Sequence, residues 1–498
     1  MAGGVRSTAV PSFPPGSIHP DRCTFVVGEN VWARRLGNIV SKSFQLDRIS
    51  GLLFALGVWL TPPACFGAND ISTRILHESR FENWQQVLAL SRRFSVEAES
   101  DIPALVSILN SCVALGCQTA GRDFRNGKLA GPQLQEFIDA WIEFTGSNPR
   151  NARDRFVALS NDAAFGWLGR YGLLCYAIET ENAALLRSTL QEADKVPRKP
   201  KPLIEKLIDA RFALVGLSHD YEALAKLLES ERGRVSEGTR LSGYFTYLAS
   251  KDDFSAAQKQ ITKYVSQFGM DHDVAKLDVD LKSLLLPPSE LLRVIDSRLK
   301  KRPNYWTLHI AKAQVLLETS LATRQEAALK SLDAIPAGLV YAQLLKIDFL
   351  VRDTEWYKDK LIGKFQDLLS RYDDYPILHV AAAEAFMRTD SVKSATEQLD
   401  KADDQTSLYV PAILVRAALA VRQRKFSEAI ELHKKNVNLA PNSIFAKLYL
   451  AQTYALAKDY IKAKQLLGEL RRSRRYIPRE AVDSLERNID EAISASRR

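Results

Sequence analysis

Apolar residues recur at helical spacing along most of the chain, and short polar breaks separate the runs. Over residues 81–92, Trp84, Val87, Leu88 and Leu90 mark one face of a helix. Leu105, Ile108, Leu109, Val113 and Leu115 continue the pattern over 102–117. A loop carrying Gly121, Gly127 and Gly131-Pro132 precedes a helix through Phe137, Trp141 and Phe144, closed by Gly146-Ser-Asn-Pro149. Two further helices are expected over about 156–171 and 173–186. Asp220-Tyr221 and Asp253-Phe254 each open a helical run with an aromatic. Leu286-Pro-Pro288 marks a turn, with Ser289 expected to cap the next helix. In the last run Leu485, Ile489 and Ile493 form one apolar stripe behind Pro478, the pattern of an amphipathic helix.

These runs repeat. Ala395, Ala429 and Ala463 stand 34 residues apart, as do Ala383, Ala417 and Ala451, and Val392, Phe426 and Tyr460. Leu399 and Leu467 match across two intervals. The clearest unit, residues 410–443, contains Phe426-Ser-Glu-Ala429-Ile and then Leu439-Ala-Pro441. This period and pattern resemble the tetratricopeptide repeat family, whose units are pairs of antiparallel helices. The resemblance is clearest over 303–475, where units begin near Pro303, Gly338, Tyr375, Val410 and Ser443. Ala327 and Leu361 extend the alanine series backwards. The resemblance implies an all-α fold, a right-handed superhelical array of helical hairpins (an α-solenoid) closed by a C-terminal capping helix. The alanines then sit where helices cross and a larger side chain would push the pair apart. Phe426 and Tyr460 fill the wedge beside them, and Pro441 ends its unit.

The family builds its inner, concave surface from first-helix side chains. Carried over by register, the implied partner-binding groove is Val380, Glu384 and Arg388, then Leu414, Ala418 and Arg422, then Leu448, Gln452 and Leu456. The family's Lys/Asn clamp for a terminal carboxylate is not matched, because Val380, Leu414 and Leu448 occupy the Lys-type position. An apolar strip edged by Arg388 and Arg422 suits an amphipathic helix or peptide with acidic flanks. The implied work is protein–protein interaction.

The organisation around the repeats is expected to be an N-terminal extension with a signal peptide (1–67), a worn helical-repeat region (68–194) and a basic, Pro-rich linker (195–202). A helical-hairpin region (203–302), the clear repeats (303–475) and the capping helix (476–498) complete it. Arg34-Arg35, Lys42 and Arg48 precede the apolar run Leu52 to Leu60, and Cys65 and Gly67 are small residues two apart. A basic flank, a short apolar segment and small residues describe a secretory signal cleaved after Gly67, which predicts a periplasmic or envelope-associated protein. The run is about half the ~20 residues a membrane-crossing helix needs, so membrane contact is expected only through an uncleaved signal. A translation start downstream of Met1, a lipid anchor at Cys65, a mitochondrial presequence and a cytoplasmic location are the competing readings. No Asn-x-Ser/Thr acceptor occurs, which leans towards a bacterial envelope.

Composition changes little. In 498 residues, hydrophobic content is 46% and charged content 26%, so global disorder is not expected, and a net charge of +9 is too diffuse for a dedicated nucleic-acid binder. Cys112, Cys117 and Cys175 remain after cleavage; one bridge or small buried helix residues are both open readings. The seven histidines are scattered, with no clustered metal ligands, no phosphate-binding glycine loop and no nucleophile elbow. Asp271-His272-Asp273, the one dense acid–imidazole group, is expected in a solvated loop. No catalytic residue, metal or cofactor is predicted. Arg471, Arg472, Arg474 and Arg475 form the densest charge, either an anion-binding patch or cations offsetting a helix end. The expected role is a non-enzymatic scaffold or adaptor in a bacterial envelope, within an assembly that makes or exports a polysaccharide or protein. The alternative is an intracellular or mitochondrial repeat protein contacting RNA or a regulatory partner.

Overall fold

Short polar breaks between apolar runs leave the chain one economical solution, which is to fold each run back on the one before it. A computed structural model describes residues 71–115, 131–146, 148–197, 199–317, 322–333, 335, 358–389, 391–477 and 479–496. These residues form 23 α-helices and no strand. The first hairpin is α1 (Ile71–Arg80) with α2 (Trp84–Ser91), followed by the single α3 (Ile102–Ala114). Then α4 (Pro132–Thr145) pairs with α5 (Pro149–Ser160), α6 (Gly166–Glu179) with α7 (Ala183–Asp194), and α8 (Lys201–Leu217) with α9 (Tyr221–Ser230). Next come α10 (Glu237–Ser250) with α11 (Phe254–Phe268), α12 (His272–Ser283) with α13 (Pro288–Lys301), and α14 (Trp306–Leu317) with α15 (Ala322–Asp333). After α16 (Lys358–Arg371), α17 (Pro376–Arg388) pairs with α18 (Val392–Gln405) and α19 (Val410–Arg422) with α20 (Phe426–Leu439). The last hairpin is α21 (Ile444–Leu456) with α22 (Tyr460–Arg471), and α23 (Arg479–Ser496) packs on both of its helices.

One turn design joins five of the hairpins. The first helix runs out into a residue with left-handed backbone: Glu82 (φ 51°), Glu181 (φ 54°), Asp252 (φ 56°), Arg424 (φ 59°) and Lys458 (φ 64°). The following N–H then reaches back to the last turn: Asn83 to Glu78 O (3.1 Å), Asn182 to Ala177 O (3.1 Å) and Asp253 to Leu248 O (3.0 Å). Lys425 reaches Ala420 O (2.9 Å) and Asp459 reaches Tyr454 O (2.8 Å) in the same way. This satisfies carbonyls that a helix end leaves open. Asn182, Asp253 and Asp459 go on to cap the second helix, accepting from the N–H groups of Leu185, Ala256 and Lys462. Glycine takes the left-handed conformation freely, whereas a side chain there costs roughly 1–2 kcal/mol. None of the five is glycine.

The six alanines at 383, 395, 417, 429, 451 and 463 are all fully buried, as the crossings require. Leu399 and Leu467 are buried with them. Further back the register slips by one: Ala327 is half-buried and Ala328 takes the crossing, while the side chain of Leu361 lies outside the described residues. The helices expected over 156–171 and 173–186 are cut differently, as α5, α6 and α7. The reason is Gly172, which sits mid-helix because a Cβ there would collide with the Phe156 ring. The linker expected over 195–202 is shorter in the structure. α8 already begins at Lys201, and one apolar cluster includes Leu190 and Ala193 before the turn and Leu203 and Leu207 after it. Ser289 lies inside α13, whose first residue is Pro288. The capping helix forms as expected, with Leu485 and Ile489 buried and Ile493 half-buried.

Candidate partner-binding surface

First helices are apolar on almost every side, and α6, α19 and α21 bury most of their residues. That corrects the predicted groove. Val380, Leu414, Leu448 and Gln452 are buried. Val380 lies in one apolar cluster with Phe365 and Tyr372, Leu414 in another with Val410 and Tyr449, and Leu448 in a third with Ile444 and Leu467. Side chains already covered by neighbouring hairpins cannot touch a partner. Glu384, Ala418 and Leu456 are half-buried. Arg422 is exposed, and its guanidinium donates to Met387 O of the preceding hairpin. Arg388 ends α17, with its side chain outside the described residues. The nine positions do not make one accessible strip.

The arginine cluster is also redistributed. Arg471 Nη2 bonds Asp483 Oδ1 at 2.7 Å and Glu486 Oε2 at 2.6 Å, which ties α22 to the capping helix. Arg475 Nε bonds Asp252 Oδ1 at 2.6 Å and its Nη2 donates to Ala249 O at 2.8 Å, with the guanidinium over the Phe254 ring. Arg472 Nε donates to Gly468 O, and Arg474 is exposed. Carboxylates of the chain itself hold two of the four cations.

Arg475 belongs to a contact that recurs through the fold. The solenoid turns far enough for the loop of one hairpin to lie against the linkers that lead into first helices one turn later. At the α1/α2 loop, Arg80 Nη2 bonds Asp271 Oδ2 at 2.8 Å and Glu82 accepts the Trp306 N–H at 3.1 Å. At the α6/α7 loop, Thr406 Oγ1 donates to Glu181 O and accepts the Ala183 N–H, and the Tyr409 hydroxyl donates to Glu181 Oε2 at 2.9 Å. Asp374 meets the same turn, accepting from Tyr176 Oη at 2.8 Å and from Arg153 Nη1 at 2.7 Å. At the α10/α11 loop, Asp252 meets Arg475, and Asn442 Nδ2 donates to Ser250 O at 2.8 Å. Sequence separations fall at 191–198 for one set of these bonds and at 221–228 for the other. The two sets differ by about one repeat, so each loop is clasped between consecutive linkers of the next turn. A turn therefore takes roughly six 34-residue repeats.

The first of these seams is a buried charged knot. Asp271 is 1% exposed and Glu82 0%, with Arg80 and His272 also buried, which overturns the solvated loop expected at 271–273. Asp271 caps α12 through the Val274 N–H while accepting from Arg80 and from Tyr264 Oη. Burial lifts the Glu82 carboxyl to about 8, against the pull of His272 and the Trp306 N–H. Burial disfavours charge on His272, but Asp273 and Glu82 outweigh it and hold the ring at about 10. The imidazolium can then donate Nδ1–H to Arg80 O at 2.8 Å, and its Nε2 stands 3.1 Å from Asp273 Oδ1 as an ion pair.

The residues that shape the molecule most, Glu82, Glu181, Asp252, Thr406 and Tyr409, were not singled out by the sequence patterns. A signal exists: an acidic residue directly before an Asn or Asp cap, in Glu82-Asn83, Glu181-Asn182 and Asp252-Asp253. Cys112 and Cys175 are buried, and Cys117 lies outside the described residues. Among the described residues no group of three or more His, Cys, Asp or Glu could hold a metal ion, and no helix is long and apolar enough to cross a membrane.

Hairpins in tandem, alanine crossings and a capping helix define the class: an α-solenoid of helical hairpins. No family model and no curated protein matches the sequence. Among solved structures, the chain is similar to one in the crystal structure of the APC/C hetero-tetramer Cut9-Hcn1, at 12% identity over 84% of this chain and 83% of that one, TM-score 0.44. It is also similar to yeast Tom70, at 14% identity over 94% of this chain and 97% of that one, TM-score 0.34.

Proposed function

We propose that the protein is a non-enzymatic scaffold or adaptor for other proteins, acting in a bacterial envelope after export, in an assembly that makes or exports a surface polymer or protein. The observation that carries the scaffold reading is the set of seams. In an open repeat array each unit touches only its neighbours. Here side-chain networks such as Arg80–Asp271, Thr406–Glu181 and Arg475–Asp252 staple successive turns together. Surface loops are then presented at fixed spacing, which reduces the ordering cost of binding. The export reading rests on the basic flank, the apolar run at 52–60 and the small residues Cys65 and Gly67.

The test is stoichiometric co-purification of tagged full-length protein from separated cell fractions, beside the seam variant Thr406→Val. A defined protein partner recovered from the periplasm, with a mature N-terminus at Ala68 and weaker recovery on the variant, is expected. Recovery of nucleic acid without protein would sink the scaffold reading, and a full-length cytosolic form would sink export.

A further inference from the structure

We infer that the α20/α21 junction is an acid-sensitive joint, at which a proton on His433 frees the last hairpin and its capping helix from the rest of the solenoid. In register, 34 residues or two such intervals apart, Phe365, Leu399 and Leu467 occupy one place on α16, α18 and α22, and all three are buried. Leu368, Ala402 and Leu470 fill a second buried place about one helical turn further on. On α20 those two places hold His433 and Asn436, 5% and 0% exposed, and with Ala429 they are all that this helix buries. The His433 ring stacks on Tyr449 of α21, with centroids 5.8 Å apart. Yet among the described residues its Nδ1 has no hydrogen-bond partner, and neither has the side-chain oxygen or nitrogen of Asn436. Polar groups buried without partners weaken the contact that encloses them.

The charged groups around the joint are engaged elsewhere or face solvent. On α19, Arg416 pairs with Asp400 and Asp403 of α18, and Arg422 donates to Met387 O. On α21, Lys447 reaches Glu469 of α22, and the group facing His433 is the Tyr449 phenol. On α20 itself Glu431 pairs with Lys434, and Glu428 and Lys435 are exposed. Burial is the whole cause that pushes His433 down to about 4 from an ordinary 6.5. A lowered folded-state value keeps the joint intact above pH 6.5 and weakens it as pH falls through 4. Beyond the joint lies a unit with a core of its own: Leu448, Tyr454, Leu467, Leu485 and Ile489 share one apolar cluster drawn from α21, α22 and α23. Ile430 and Val437 of α20 pack on that cluster half-buried. Such a unit can open as one body without unfolding. Its other tie is the seam, where Arg475 meets Asp252, Asn442 meets Ser250 O and the Tyr476 N–H meets Leu284 O at 2.7 Å.

Hydrogen exchange by mass spectrometry on the full chain at pH 7 and pH 4.5 tests this, with rates corrected for the intrinsic effect of pH. In wild type the opening equilibrium over Ile444–Ser496 should rise at least about tenfold in acid, with a smaller change over α17–α19. His433→Leu, which restores the residue found at 399 and 467, should abolish that rise. Should the leucine variant misfold, His433→Gln, which stays polar but takes no proton, gives the same readout. Arg475→Gln weakens only the seam, so it should raise opening of the same segment at both pH values and keep the acid response. The inference is overturned if wild type shows no acid response, or if His433→Gln responds as wild type does. Acceleration spread evenly over α17–α19 also overturns it, and loss of the response in Arg475→Gln would assign the proton to Asp252 instead.

Discussion

Arg80→Met is the sharpest probe of the seams, because it keeps the apolar stem and removes only the guanidinium. The Arg80 and Asp271 side chains are 7% and 2% exposed and their charged atoms are 2.8 Å apart, so solvent screens the pair little. Breaking a buried pair from one side costs about 3–5 kcal/mol. Asp271 would keep the Val274 N–H and the Tyr264 hydroxyl, each at 3.0 Å, so the lower end, about 3 kcal/mol, applies. Where the loss appears matters more than its size. If hairpins touched only neighbours, it would stay within α1 to α3. Across the seam it reaches α12 and the start of α14, since Arg80 and Asp271 are 191 residues apart in sequence. About 3 kcal/mol corresponds to on the order of 100-fold in the opening equilibrium. Native-state hydrogen exchange by mass spectrometry should therefore show that acceleration over His272–Ser283 and at Trp306. Faster exchange confined to α1–α3, with α12 unchanged, would refute the seam. Asp271→Asn added to Arg80→Met should recover part of the loss, because no unpaired charge then remains buried.

Alkaline pH should loosen the same seam. Glu82, ordinarily near 4.5, is raised to about 8, and His272, ordinarily near 6.5, to about 10 amid Asp273, Glu82 and Asp271. A raised folded-state pKa gives stability that is complete below the ordinary value and lost as pH rises through the raised one. Tm should thus fall from pH 5 towards pH 10, and Glu82→Gln should remove the earlier part of that fall; a flat profile in wild type contradicts the assignment. Thr406→Val keeps shape but strips the Glu181 carbonyl and the Ala183 N–H of their partner, and should cost about 1–3 kcal/mol by denaturant midpoint. A midpoint within error of wild type would mean that this seam contributes nothing. Ala429→Trp, at a fully buried crossing, should overpack it by about 1–3 kcal/mol, and unchanged stability would remove α19/α20 from the proposed register.

The hairpins were legible where the chemistry is local. Asp220 and Asp253 cap their helices through the N–H groups of Ala223 and Ala256, a bond that closes within three residues. The buried alanines report crossings between adjacent helices, so their spacing of 34 carried the architecture. Failures began where burial depended on distant chain. Val380, Leu414 and Leu448 have the right register for a concave face, yet register alone does not show how tightly neighbouring hairpins enclose it.

By itself, then, the sequence determined the helical hairpins, the repeat over its last three units and the capping helix, because each rests on contacts within one or two hairpins. Only the tertiary structure decided that Asp271-His272-Asp273 is a buried knot, that Arg475 is a staple to Asp252, and that Glu82 and Glu181 are enclosed. The physical reason is accumulation. Each hairpin adds a small rotation, and whether a loop meets a linker about 192 or 225 residues later depends on the sum of those rotations, which no local pattern of residues records.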